Sequence, residues 1–438
     1  MAAAVDLATI SALTKEVFPF GDRIFKQMIS GEPALDLIQS GPNALPQLAK
    51  KEGQYVKVPM WTGRNPNRSV AVSPGASLAE PGGQKWGSAI HNITTQNQSL
   101  SMLGIVFDVA GGGEQSVGSQ LALEMDGQKE NMRRRQNWLL HQDGSGEFSQ
   151  CGTTTATNVV QLATGADMTQ YEVDQEIGIH NRSTGALATG STAGQPLKIT
   201  EVDLVNEQLT VKKHDNTTAS MTTSASHGVY GFGEQGLQCN GFGVFVSETN
   251  PDNWGGSGND QYGGIDKSLT PNAFWKGKQI DGGNSIFNIQ EHIQPAHREV
   301  RLRAGQAGGN HRRMICFLRE GNWHALYNQL QKDVRFSGNI TKMVRGGWEA
   351  MTYDRTFFVL DDDAPVTKAR WVDPDNTYRY VMRMPWFDDK TGSIWTQLTD
   401  AINGRPVESY RANILTRQQM FTTTNLTAIE VNNLNASN

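Results

Sequence analysis

Between Tyr55 and Gly146 the chain pairs a long β excursion, poor in apolar residues at its middle, with one amphipathic helix, and no other stretch narrows the possible folds as much. The excursion leaves through YVKVPMW, where Val56, Val58 and Met60 alternate and are expected to point outward. It returns through LSMLGIVFDVA, with Leu103, Ile105, Phe107 and Val109 expected to point inward. The intervening stretch is mostly polar residues, Gly and Pro. A lone two-stranded ribbon is marginal in water, and a structureless loop of this length is uncommon inside a compact domain. The ribbon is therefore expected to be ordered by something outside itself, most simply another copy of the chain.

The helix that follows opens at Gly111-Gly112-Gly113, with Glu114 placed to complement its dipole. Val117, Leu121, Met125, Met132 and Leu139 recur at steps of four or seven, an apolar stripe over roughly 25 residues, or about 38 Å at 1.5 Å per residue. Arg133, Arg134 and Arg135 lie in its second half, and Gly144 and Gly146 should stop it. The arginine triplet is read first as a solvated helix face, with ion pairs to an adjacent ribbon, for instance to Glu80, as the alternative.

With 438 residues the chain exceeds one core, so two or three substructures are expected. Its 46 Gly and only 19% charged residues suit many strands and turns. A net charge of −5 lacks the basic footprint of a protein that grips nucleic acid through phosphates, although a container for nucleic acid needs no such grip. Cys151, Cys239 and Cys316 are widely spaced and form no metal or disulfide pattern, so they are expected to be buried thiols. The N-terminal stretch has no basic n-region, and no run of 18 apolar residues occurs, so neither secretion nor a membrane span is expected.

Along the chain, Asp6 to about Gly31 has helical spacing broken at Pro19 and Gly21. The next stretch, EPALDLIQSGPNALPQLAKKEG, has three prolines and no period, and reads as an arm lying on other surfaces without a core of its own. Strands are expected from Thr154 to about His227, as an inserted small β-barrel. From Gly228 to Gly282 the pattern is irregular, and loops of that size are normally functional or held by partners. Helical spacing resumes from Asn284 to Arg303, kinked or split by Pro295, followed by a strand at MICFL and a helix around Trp323, Leu326, Tyr327 and Leu330. The segments RTFFVLDDD, TYRYVMRM and SYRANILTRQQMFTTTNLTAIEV supply further strands.

Three arrangements could carry chemistry. The glycines before the helix lack the Gly-Lys-Ser/Thr of a P-loop and the third glycine of a dinucleotide site, so they read as a hinge. Asp361-Asp362-Asp363 reads as a capped turn before Pro365, with a structural cation as the alternative. Glu291-His292 lacks the second His of a zinc hydrolase, and there is no Gly-x-Ser-x-Gly elbow. No catalytic residue, metal ligand or cofactor is expected.

Extended ribbon, long helix and HQDGSG exit, followed in order by GVFVSETNPDNWGG, YGGIDKS, FWKG, GGWEAMTYDRTFFVLDDDAP and the C-terminal ESYRANILTRQQMFTTTNLTAIEVNNL, resemble the major capsid proteins of tailed phages of the Hong Kong 97 type. The resemblance implies an α+β capsid fold with N-arm, E-loop, P-domain with spine helix, and A-domain, here with the small β-barrel inserted. It implies an N-terminal arm over 1–54, an E-loop ribbon over 55–110, a P-domain from 111–153 and 405–438, the β-rich insertion over 154–227, and an A-domain over 228–404. The implied function is self-assembly into the icosahedral shell of a tailed double-stranded DNA phage, as hexamers and pentamers. Implied partners are a portal, a scaffold and decoration or cement proteins, and the shell encloses the DNA without reading its sequence.

Two alternatives are an encapsulin-like cargo compartment and a β-rich extracellular binding protein. Subunit contacts are expected from Lys57, Arg64, Arg68, Glu80, Lys85, Trp86, Arg133, Arg134 and Arg135, and hinges from Gly63, Gly82, Gly83, Gly111, Gly112 and Gly113. One branch of the resembled family joins an E-loop lysine covalently to a neighbour's asparagine. Lys85 lies in the outer half of the ribbon, but the glutamate and asparagine that complete that chemistry have no counterpart here, so non-covalent closure is expected. Such a shell would be assembled in the host cytoplasm and located in the virion.

Overall fold

A computed structural model describes residues 32–46, 49–63, 83, 85–103, 114–249, 262–304, 314–332, 341–343, 349–354, 356–388, 393–399 and 406–435. The two helices expected before Gly31 lie outside these residues. The first described element is a short helix, α1 (Pro33–Leu37), with proline in its first turn, where the missing N–H is no loss. Ala34, Leu35, Leu37 and Ile38 are buried in the same core as Val56, Phe245 and Phe421. This part of the presumed arm therefore packs on its own chain, and the strand after it, β1 (Gln39–Gly41), extends a sheet of the body. Five residues are too few to display a helical period, which is why the sequence did not reveal it.

The ribbon is built from β3 (Tyr55–Gly63) and β4 (Lys85–Asn92), paired antiparallel from Tyr55–Asn92 out to Gly63–Lys85. A short strand, β2 (Lys50–Glu52), braces only the root, at Tyr55 to Lys57. Two expectations are corrected. Val56, Val58 and Met60 face inward, at 0, 0 and 3% exposure, so the alternation has the right period but the opposite face. The strand that was to close the ribbon, β5 (Thr94–Leu103), instead pairs with β22 (Pro406–Thr422), from Thr94–Gln418 to Leu103–Ser409. Ile105, Phe107 and Val109 lie outside the described residues.

The long helix, α2, runs from Glu114 to His141 and is followed by Gly144 and Gly146 at φ of +85° and +80°. Its last turns reach two cores, because each residue rotates the side chain by about 100°. Leu140 packs in the first core, while Trp138 and Leu139 pack in a second. That second core fills a β-structure made of β6 (Glu147–Gln150), β8 (Val159–Gln161), β9 (Glu176–Asn181), β10 (Leu197–Asp203), β11 (Gln208–Lys213) and β13 (His227–Gly231). The strand order is β6-β13-β9-β10-β11-β8. The path then returns on itself: Cys151 bridges Leu162, with Gly152 N–H donating to Gln161 O at 2.8 Å and Ala163 N–H to Gln150 O at 2.9 Å. Ile177, Ile179, Leu197, Ile199, Leu209 and Val211 alternate into its interior. Beside it β7 (Thr154–Thr157) pairs with β12 (Met221–Thr223).

The stretch expected to be irregular from Gly228 to Gly282 supplies core instead. A helix, α3 (Phe242–Val246), buries Phe242, Val244, Phe245 and Val246, and Tyr262 and Trp275 stack in the same cluster with centroids 4.9 Å apart. Gly241 lets α3 approach the end of α2: a Cβ there would stand 2.2 Å from Gln142 O.

The third core lies under a mixed sheet of β14 (Lys278–Asp281), β15 (Ile315–Leu318), β16 (Thr341–Met343), β17 (Glu349–Tyr353), β18 (Thr356–Leu360), β19 (Ala369–Val372) and β23 (Ile429–Asn432), in the order β14-β23-β19-β15-β18-β17-β16. It packs against α4 (Gln294–Ala304) and α5 (Glu320–Lys332). Pro295 falls at the start of α4, directly after a π turn at Ile289–Ile293, where the pattern was expected to kink. The remaining sheet joins β1, β20 (Thr377–Phe387), β22 and β21 (Trp395–Thr399), with β5 also on β22. Of the stretch expected to complete the P-domain, β22 and β23 thus lie in two different sheets, and β20, expected within the 228–404 domain, pairs along its length with β22.

Candidate assembly surface

The ribbon has an anchored face and a presented face. At its root Val56, Val58, Met60, Ala89 and His91 are all 3% exposed or less. His91 is stacked on Phe421 and lies 4.9 Å from Tyr262, and burial lowers its pKa to about 3, so it is a neutral core residue. On the opposite face Ile90 is 45% exposed and Trp86 63%. Trp86 pairs in register with Trp61, and the register slips between Trp61 and Gly63. A large exposed aromatic on a two-stranded stem is the residue type that anchors protein interfaces.

That stem springs from a body whose cores are tied together at the last two turns of α2. Gln136 accepts from Arg379, which also donates to Gln418 through Nε at 2.9 Å, tying the helix to β20 and β22. The next residue, Asn137, donates to Asp361 at 2.9 Å and Asp363 at 2.8 Å, and one turn further His141 Nε2 lies 3.1 Å from Asp361. Arg370 donates to the carbonyl of His141 and, at 2.6 Å, to Glu430, linking β19 and β23 to the same helix end. Toward the β6–β13 structure Arg135 lies 4.4 Å from the ring centroids of both Trp138 and Phe148, and donates to Glu234 at 2.7 Å. One helix end therefore holds all three cores.

The aspartate run is the capped turn: Asp361 accepts the N–H of Asp363 at 3.0 Å, and Ala364 N–H donates to Asp361 O. Among the described residues no group of three or more His, Cys, Asp or Glu is placed to hold a metal ion, and no helix is long and apolar enough to cross a membrane. Cys151, Cys239 and Cys316 are buried thiols, and burial pushes Cys151 up to about 12 and Cys239 up to about 11.

The arginine triplet divides. Arg133 pairs with Glu32, at 3.1 Å, and with Glu130, at 2.7 Å, while Arg135 pairs with Glu234. Both are answered inside their own chain. Arg134 is exposed and among the described residues makes no salt bridge. Lys57 is half-buried opposite Ile90, Lys85 stands opposite Gly63 at the ribbon's described end, and Gly83 has open space around it. Arg64, Arg68, Glu80, Gly82, Gly111, Gly112 and Gly113 lie outside the described residues. Glu32, Asn137, His141, Arg370 and Glu430 escaped the sequence reading, although the i, i+4 spacing of Asn137 and His141 on a helix was a visible signal.

No family model matches the sequence, and no curated protein matches it. Among solved structures the chain is similar to the capsid asymmetric unit of cyanophage A-1(L), at 11% identity over 92% of this chain and 93% of that one, with a TM-score of 0.44. It is similar to the capsid of cyanophage P-SCSP1u, at 10% identity over 93% and 89%, with a TM-score of 0.42. It is also similar to the SrpI encapsulin of Synechococcus elongatus, at 8% identity over 98% and 96%, with a TM-score of 0.40. All three TM-scores lie below 0.5, so the case for function rests on the chain's own residues.

Proposed function

We propose that this chain is a major capsid protein, a non-enzymatic subunit whose copies close into the icosahedral shell of a tailed phage and enclose its double-stranded DNA. The observation that carries the reading is the ribbon: one face is built into the core, while the opposite face presents Trp86 and Ile90 with no covering element among the described residues. Such a stem gains order by lying on another subunit. The collinear resemblance of the sequence to Hong Kong 97-type capsid proteins agrees with this, as does a long helix whose end fastens every core. Hexamers and pentamers, a portal, a scaffold, decoration proteins and assembly in the host cytoplasm belong to the same proposal.

Light scattering and electron microscopy of the purified chain, with and without the phage's own scaffold, test it. Capsomers or closed particles are expected, and a 48.0 kDa monomer at high concentration under both conditions would overturn it. Particles from the natural source should absorb as nucleic acid plus protein. Particles filled with an enzyme instead would make the chain a cargo compartment of the encapsulin kind.

A further inference from the structure

The hairpin between β10 and β11 ends in a tip that breaks the usual chemistry of turns. Tips are normally Asn, Gly, Asp or Ser, because those residues suit tight turns and water. Here the tip presents Leu204, 66% exposed, and Val205, 89% exposed. It is also held in shape: Asp203 accepts the N–H groups of Val205 and Asn206, each at 3.0 Å, and the Asn206 side chain at 2.6 Å, while Glu207 takes φ of +53°. A tip fixed in this way cannot fold its two apolar side chains back onto the body.

At the other end of the same hairpin lies a cavity of about 330 Å³, lined by Ile177, Leu187, Leu197, Phe232, Ser191 and Gln235 among others. That volume is at the small end for ligand sites and suits one or two aliphatic side chains. Leu187 and Phe232, at 38% and 42% exposure, leave its mouth apolar and open. Ser191 Oγ and Gln235 Nε2 are buried there without a hydrogen-bond partner, two donors suited to the backbone carbonyls of an entering turn.

Charge is graded along the hairpin in the same sense. The tip end carries Glu201, Asp203 and Glu207 and no basic residue from Ile199 to Thr210. The cavity end carries Lys198, Lys212 and Lys213, with Lys198 directly opposite Lys212, against Glu176 and Asp215. Tip and cavity are separated by the length of β10, roughly 20 Å at about 3.3 Å per residue. They cannot meet within one chain.

We propose that the Leu204–Val205 tip of one copy seats in the Ile177–Leu187–Leu197–Phe232 cavity of a second copy, a head-to-tail contact between shell subunits. The contact is heterologous, so in a closed shell it repeats around rings of copies. This rests on the capsid reading, and the test separates the two. Val205→Cys, Leu187→Cys and the double variant are assembled, inspected by electron microscopy and oxidised, and the chains are run without reductant. The double variant alone should shift most chains into disulfide-linked multimers, since the two sites within one chain are far beyond disulfide reach. Particles whose double variant stays monomeric on the gel would overturn the docking and leave the capsid reading standing. A dimer from Val205→Cys alone would mean tips meet tips, which overturns the head-to-tail arrangement. Failure of the unaltered chain to form particles would remove both proposals.

Discussion

Glu32 shows how single residues here are tuned by their place between elements. It enters α1, reaches Arg133 of α2 at 3.1 Å, and also faces Asp361 and Asp363 of the turn after β18. Burial, reinforced by Asp363 and opposed by Arg133, raises its pKa from 4.5 to about 7, and burial likewise raises Asp363 to about 6. A raised carboxyl binds its proton more tightly when folded than when unfolded. Its contribution to stability is therefore present below about pH 4.5 and is lost as the pH rises through about 7. Glu32→Gln keeps an acceptor for Arg133 and removes that titration. The urea midpoint of the isolated subunit should fall less between pH 5 and pH 8 in the variant than in the unaltered chain. Equal falls in both would show that Glu32 is not the group that loses stability there.

At the scale of elements, the ribbon separates folding from assembly. Ala89 and His91 of β4 are core residues, so a deletion must leave β4 intact and remove only residues 64–84. Joining Gly63 to Lys85 by a short Gly-containing turn preserves the register from Tyr55–Asn92 outward. Circular dichroism should match the unaltered chain, while electron microscopy should show no closed particles; normal shells from this deletion would show that the ribbon does not tie subunits together. The elements legible in the sequence were those long enough to show a period, α2, α5 and the strand at 406–422, together with the short apolar runs at 315–318 and 356–360. The face of β3 was not legible, because alternation gives the period and only the packed partner decides which side is inside. Nor were α1 and α3, five residues each, in which a helix and a buried strand look alike. The polar fastening of α2 escaped for another reason: Asn137 and Asp361 are 224 residues apart, and Arg370 and the carbonyl of His141 229. No local pattern links them.

At the scale of the whole molecule, three cores meet at one helix end, while the surfaces offered outward by the described residues include a stem with Trp86 and Ile90, the exposed Arg134, and an apolar hairpin tip. A closed shell can be stable on such terms, since each copy is held by several neighbours at once and the loss of one contact leaves the others in place. Covalent closure is then unnecessary. Lys85 stands at the end of the described ribbon opposite Gly63, and no glutamate–asparagine set could be matched to it in the sequence. Mature particles boiled in detergent should therefore run as single chains of 48.0 kDa on a reducing gel. A ladder of multimers that survives boiling and reductant, and disappears in Lys85→Ala, would show that the ribbon carries self-directed chemistry and that closure is covalent after all.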